Sequence, residues 1–128
     1  MLDQWDPRQA AVVSLGAVVG AVIRWAAIRL FGDSAIDEVL LAVNVAGCLL
    51  LGLVSQLPPR LGPVQHMLGA GLAGTLTTWS SLALQSATDI RAGAWLAAGA
   101  WLAANLLIGV GAALAGRSLG VQRWGSTP

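Results

Sequence analysis

The sequence predicts an all-α integral membrane protein of four short transmembrane helices, and three observations carry that prediction. Its 128 residues are 56% hydrophobic and 10% charged, whereas a soluble domain of this size is about a quarter charged. Mean hydropathy is +0.73, and the charges cluster so that long apolar runs lie between them. Four of those runs reach the roughly 20 apolar residues that a helix needs to cross the hydrocarbon core of a bilayer. The chain is expected to form one domain, 1–128, with spans at approximately 9–31, 39–57, 63–88 and 92–116.

The first span ends at Gly32 and Asp33, and an acidic loop to Glu38 leads into the second. Pro58, Pro59 and Arg60 stop the second, because proline donates no backbone hydrogen bond and disfavours helix in the residue before it. The third carries no formal charge but is crowded with glycine and hydroxyl side chains near its middle. The fourth is bracketed by Arg91 and Arg117. The tail over 118–128 reads as disordered and without a motif. Asp3, Asp6 and Arg8, with Arg24 interrupting the apolar run, argue against a cleaved signal peptide, so the first span stays in the mature protein.

Short loops make neighbouring helices antiparallel and put both termini on one face. That face then holds Arg8, Arg60, Arg117 and Arg123, against Arg29 and Arg91 on the other, a bias towards cytoplasmic termini. Seven arginines, no lysine and six acids leave a net charge of +1, with no basic stripe for nucleic acid. Cys48 is the single cysteine, so no internal disulfide forms. His66 falls between the second and third spans, with no metal cluster around it. Gly16 with Gly20, Gly47 with Gly52, and Gly109 with Gly116 recur at helix-packing spacing. Four helices of this length enclose no wide cavity, so a polar pathway is expected at a subunit contact.

Polar residues inside the spans mark candidate function. Arg24 lies in the last third of the first span, where arginine costs up to about 2.5–3.5 kcal/mol at helix centre. It either snorkels beside Trp25 or forms an electropositive vestibule for an anion. Asn44, in the second span, is either an interhelical hydrogen-bonding residue or part of a path. The run Gly74-Thr-Leu-Thr-Thr-Trp-Ser-Ser81 is poor helix. It is either a kinked continuous span, its hydroxyls bonded to their own backbone, or a broken helix whose freed groups bind an ion. No acid lies within an apolar stretch, since Asp3, Asp6, Asp33, Asp37, Glu38 and Asp89 fall outside or at the ends. A proton-coupled carrier or cationic drug exporter would usually need an intramembrane carboxylate. Neutral donors and one arginine favour a small anion, which exchanges its water for hydroxyls, an amide N–H and the positive edge of an aromatic ring.

Three motifs in order resemble the CrcB/Fluc family of fluoride channels over nearly the whole chain. They are Gly16-Ala-Val-Val-Gly20-Ala21-Val-Ile-Arg24-Trp25, Asn44-Val-Ala-Gly47-Cys-Leu-Leu-Leu-Gly52, and Gly71-Leu-Ala-Gly74-Thr-Leu-Thr77-Thr78-Trp79-Ser80-Ser81-Leu82. The resemblance implies a third helix broken near its middle, and a dual-topology antiparallel dimer with two pores moving fluoride passively out of the cell. It also implies a bacterial inner-membrane, multi-pass location. A structural sodium ion is implied at the dimer interface, on backbone carbonyls of Gly74 and Thr77. Fluoride-path roles fall on Asn44, Thr78, Ser80 and Ser81, with Arg24 at the vestibule and Trp101 and Asn105 as the looser match in the fourth span. The family's paired phenylalanines fall on Trp79 and Leu82. Leucine has neither quadrupole nor donor, so the expected partner is a related, oppositely oriented subunit supplying the missing rings, with the homodimer as the alternative. Two other readings stand beside the channel: a small four-helix multidrug exporter, and a non-transporting assembly subunit in which these polar residues are packing glue.

Overall fold

The computed structural model of the chain describes residues 6–125. Asp3 and residues 126–128, which entered the expectations above, lie outside the described residues. The described chain is helical almost throughout, without a strand among those residues.

Helix α1, Pro7–Val54, starts at an N-cap made by Asp6, whose Oδ1 accepts the Arg8 N–H at 2.9 Å, with Pro7 in the first turn. The carboxylate satisfies a donor that the helix end leaves open, and proline gives up nothing there. One residue inside α1 is not helical: Ala35, at φ −147° and ψ 41°. It divides the element into two apolar arms, Pro7–Gly32 and Ala35–Val54.

After α1, a 3₁₀ turn at Pro59–Leu61 leads into α2, Gly62–His66, then a π-helical segment, Met67–Ala73, and α3, Gly74–Leu76. Thr77 and Thr78 are extended, and α4 then covers Trp79–Arg91. Gly93, at φ +80°, follows as the left-handed residue that closes a helix C-terminus, with the Ala94 N–H reaching back to the Asp89 carbonyl at 2.8 Å. Helix α5, Trp95–Trp124, completes the chain. The two arms of α1 and α5 are each long and apolar enough to cross a membrane.

Contacts between elements fix the topology. Gly16 abuts Met67, Gly20 abuts Leu72 and Thr75, and Arg24 reaches Thr77, so the first arm runs parallel to residues 67–77. Gly69 meets Leu51 and Val54, Gly47 meets Ala73 and Thr77, and Asn44 meets Thr78, so the second arm runs antiparallel to them. Gly16 and Val54 would be about 57 Å apart along a straight helix at ~1.5 Å per residue. Both sit against Met67–Ala73, so the chain reverses at Ala35. Asn44 pairs with Asn105, Cys48 with Gly109, and Gly52 with Ala113, which sets α5 parallel to the second arm. The result is an up-down-up-down bundle.

Two expectations are corrected. The acidic loop over 33–38 is a tight corner with helix on both sides, because the apolar pattern marks where lipid ends and not where helix ends. The tail is helical to Trp124, supported where Gly120 seats against Leu53 and Gln56. The fourth helix accordingly begins at Trp95 and runs past the arginine that bracketed the expected span.

Packing relies on small residues. No large side chain is fully buried among the described residues. A Cβ at Gly16 would collide with the Met67 carbonyl, one at Gly52 with the Ala113 carbonyl, and one at Gly116 with the Leu49 carbonyl. Backbones therefore approach to contact, the arrangement that helices need where hydrophobic association is absent. Leu15, Val18, Leu30, Leu96 and Leu107 face outwards, an apolar exterior suited to lipid or to another subunit.

Candidate functional site

The interruption at Thr77 and Thr78 has a local cause. The Thr77 N–H and hydroxyl both turn back to the Ala73 carbonyl, each at 3.1 Å. The Thr78 N–H, which a continuing helix would give to Gly74, instead donates to Asn44 Oδ1 at 2.8 Å. Thr78 then caps α4, its Oγ accepting the Ser81 N–H at 3.3 Å. The same hydroxyl donates to Ser81 Oγ at 3.0 Å and lies 3.3 Å from Ser80 Oγ. Hydroxyls that destabilise a helix interior thus hold its two ends at the interruption.

Asn44 joins three elements. Its oxygen accepts from Thr78, and its nitrogen donates to Asn105 Oδ1 on α5 at 3.1 Å. Asn105, itself buried, donates to the Trp101 carbonyl one turn earlier at 3.0 Å. Asn44, Thr78 and Asn105 line a groove of about 510 Å³ between the second arm of α1, residues 69–82 and α5. Gly74, Thr77, Trp79 and Leu82 line it too, with small and aliphatic residues completing the walls. No carboxylate lines it among the described residues. Amide and hydroxyl donors on apolar walls suit a small anion better than a cation.

The remaining candidates take different places. Trp79 is 73% exposed at the groove wall, whereas Leu82 is buried. Trp101 contributes its backbone carbonyl, and its buried indole N–H has no partner among the described residues. Arg24 does not line the groove: half-buried, it donates from Nη1 to the Thr77 carbonyl at 3.3 Å. A guanidinium there satisfies an acceptor that the interrupted helix leaves open.

Gly74 and Thr77 fit a hard cation by donor type, since backbone carbonyls are the oxygens such ions prefer. The Gly74 carbonyl has lost its helical partner and, among the described residues, receives only the Thr77 hydroxyl at 3.5 Å. The Thr77 carbonyl keeps one lone pair beside Arg24.

Sequence reasoning missed Thr75, whose hydroxyl donates to the Ala17 carbonyl at 2.9 Å and ties the first arm to α3. The signal was present in the pairing of a hydroxyl run with Gly16 and Gly20, which admit that close approach. It also missed the small residues of the groove, Gly69, Ala70 and Ala73, which look like ordinary packing positions.

An apolar helical bundle with an internal polar cluster and a donor-lined groove defines a multi-pass membrane protein. The model of the family described as "CrcB-like protein, Camphor Resistance (CrcB)" matches residues 11–117, and the chain belongs to that family. A Prochlorococcus marinus protein named "Fluoride-specific ion channel FluC 2" is 38% identical over 120 residues, covering 94% of this chain and 86% of its own. A Synechococcus protein of the same name is 41% identical over 119 residues, covering 91% and 84%. A Shewanella sediminis protein named "Fluoride-specific ion channel FluC" is 36% identical over 121 residues, covering 87% and 94%.

Proposed function

We propose that the chain is a subunit of a fluoride-selective ion channel, not an enzyme, which lets cytoplasmic fluoride leave the cell passively through the inner membrane. The observation that carries this reading is the Asn44, Thr78 and Asn105 cluster on a groove that no carboxylate of the described residues lines. Relatives of similar length bear the fluoride-specific name, which supports the same reading. A small anion leaving water needs replacement donors, and the groove offers the Asn44 and Asn105 amides and the Thr78 hydroxyl, with the Ser80 and Ser81 hydroxyls beside Thr78 but off the groove wall.

In this reading residues 62–91 form one membrane crossing, broken at Thr77 and Thr78, and two oppositely oriented subunits close their grooves against each other. The partner is a related subunit supplying an aromatic edge where this chain has Leu82. The Gly74 and Thr77 backbone carbonyls would hold a sodium ion, which would supply fixed positive charge. Arg24, also on the Thr77 carbonyl, adds to that charge from inside the bundle.

The test is fluoride efflux from proteoliposomes, measured with the chain alone and with a related subunit co-reconstituted. Efflux in either preparation, above empty vesicles, is expected. None in both, with correctly assembled protein, would return the chain to the role of an assembly subunit. Full-rate efflux from the chain alone would remove the related partner and keep the channel.

A further inference from the structure

Thr78, Asn44, Asn105 and Trp101 form a ladder of hydrogen bonds whose two ends cannot be reversed. At one end is the Thr78 backbone N–H, which can only donate; at the other is the Trp101 backbone carbonyl, which can only accept. Between them, each asparagine accepts through its oxygen on the side of Thr78 and donates through its nitrogen on the side of Trp101. A side-chain amide is nearly symmetric in shape, so its orientation is set by its partners. Turning both amides over would point Asn44 NH₂ at the Thr78 N–H and the Asn105 oxygen at the Trp101 oxygen. Turning one alone would set like against like at both of its bonds.

We propose that Asn105 is a positioning residue: through this ladder it fixes the Asn44 amide with its nitrogen, and so a spare N–H, available to an anion in the groove. The inference rests on the channel reading above and adds to it the reason that the groove presents donors. One N–H of Asn44 has no acceptor among the described residues, and the Asn44 oxygen is occupied by Thr78. The same holds for the second N–H of Asn105, whose oxygen is occupied by Asn44. Both residues line the groove. With Asn105 removed, Asn44 loses the acceptor that holds its nitrogen in place and is free to rotate.

The test compares Asn105→Leu, similar in shape without polar atoms, with Asn105→Thr. The threonine hydroxyl accepts from Asn44 while donating to the carbonyl four residues back on its own helix. Fluoride efflux is measured in whichever subunit composition conducts for the wild type, and hydrogen exchange at the Thr78 amide is measured on the same proteins. Asn105→Leu is expected to slow efflux by about 3- to 30-fold, the range for losing one interhelical hydrogen bond in a membrane, and to speed Thr78 exchange. Asn105→Thr is expected to recover most of both. Asn105→Leu with unchanged efflux and exchange would overturn the inference, as would Asn105→Thr behaving like Asn105→Leu. A wild type that moves no fluoride fails the channel reading instead, while the exchange comparison still tests the ladder.

Discussion

Asn44→Leu is the perturbation whose consequence the structure specifies most fully. It keeps the side-chain volume and deletes two hydrogen bonds, from the Thr78 N–H at 2.8 Å and to Asn105 Oδ1 at 3.1 Å. An interhelical hydrogen bond in a membrane contributes about 0.6–2 kcal/mol, so the pair contributes roughly 1–4 kcal/mol at this junction. The Thr78 N–H then has the Gly74 carbonyl as its nearest helical alternative, which favours extending the helix through the interruption. Loss of the groove donor and of the extended backbone together should reduce fluoride efflux by at least about tenfold, the equivalent of roughly 1.4 kcal/mol. The assay is initial efflux from proteoliposomes with a fluoride-selective electrode, normalised to protein that elutes as assembled channel. Asn44→Leu conducting within about twofold of wild type, below ~0.5 kcal/mol, would show that neither bond of Asn44 is needed for fluoride passage.

Other perturbations separate packing from the polar cluster. Gly52→Leu should prevent assembly or lower the melting temperature in detergent, because its Cβ meets the Ala113 carbonyl; overpacking of this kind costs about 1–3 kcal/mol. Gly111→Ala, where nothing lies within reach, should leave the melting temperature unchanged. Arg24→Gln removes the cation from the Thr77 carbonyl and should slow efflux several-fold, about 1 kcal/mol for a charge-assisted bond reduced to a neutral one, with Arg24→Lys intermediate. Leu82→Phe should raise efflux from the chain reconstituted alone, since it returns a ring edge to the groove wall; unchanged efflux would show that the leucine is not what limits it.

Much of the bundle was legible because membrane burial leaves a coarse signal. Apolar runs bounded by Arg91 or by Pro58 and Pro59 marked the helices, and the hydroxyl run from Gly74 to Ser81 marked a stretch of poor helix without deciding between a kink and a break. What stayed hidden were contacts made by residues far apart in sequence. Nothing local tells that Arg24 ends on the Thr77 carbonyl, 53 residues away, or that Thr75 bonds Ala17 and not only its own helix. Helix ends were misjudged for a related reason. Charges at Asp33 and Arg117 signal the membrane boundary, but a helix continues as long as its backbone bonds and side contacts do, to the corner at Ala35 and to Trp124. Asn105 looked like a loose match to a motif, and its importance is visible only through its two partners.

Neutral donors around Asn44 are proposed to carry fluoride through the membrane. The most direct measurement of that role is the ratio of fluoride to chloride efflux from vesicles holding the reconstituted channel, recorded for wild type and for Asn44→Leu under the same gradient. Rapid fluoride release with little chloride is expected from the wild type, and loss of the fluoride component alone in the variant. Equal release of both ions, or fluoride release indifferent to Asn44, would contradict that role.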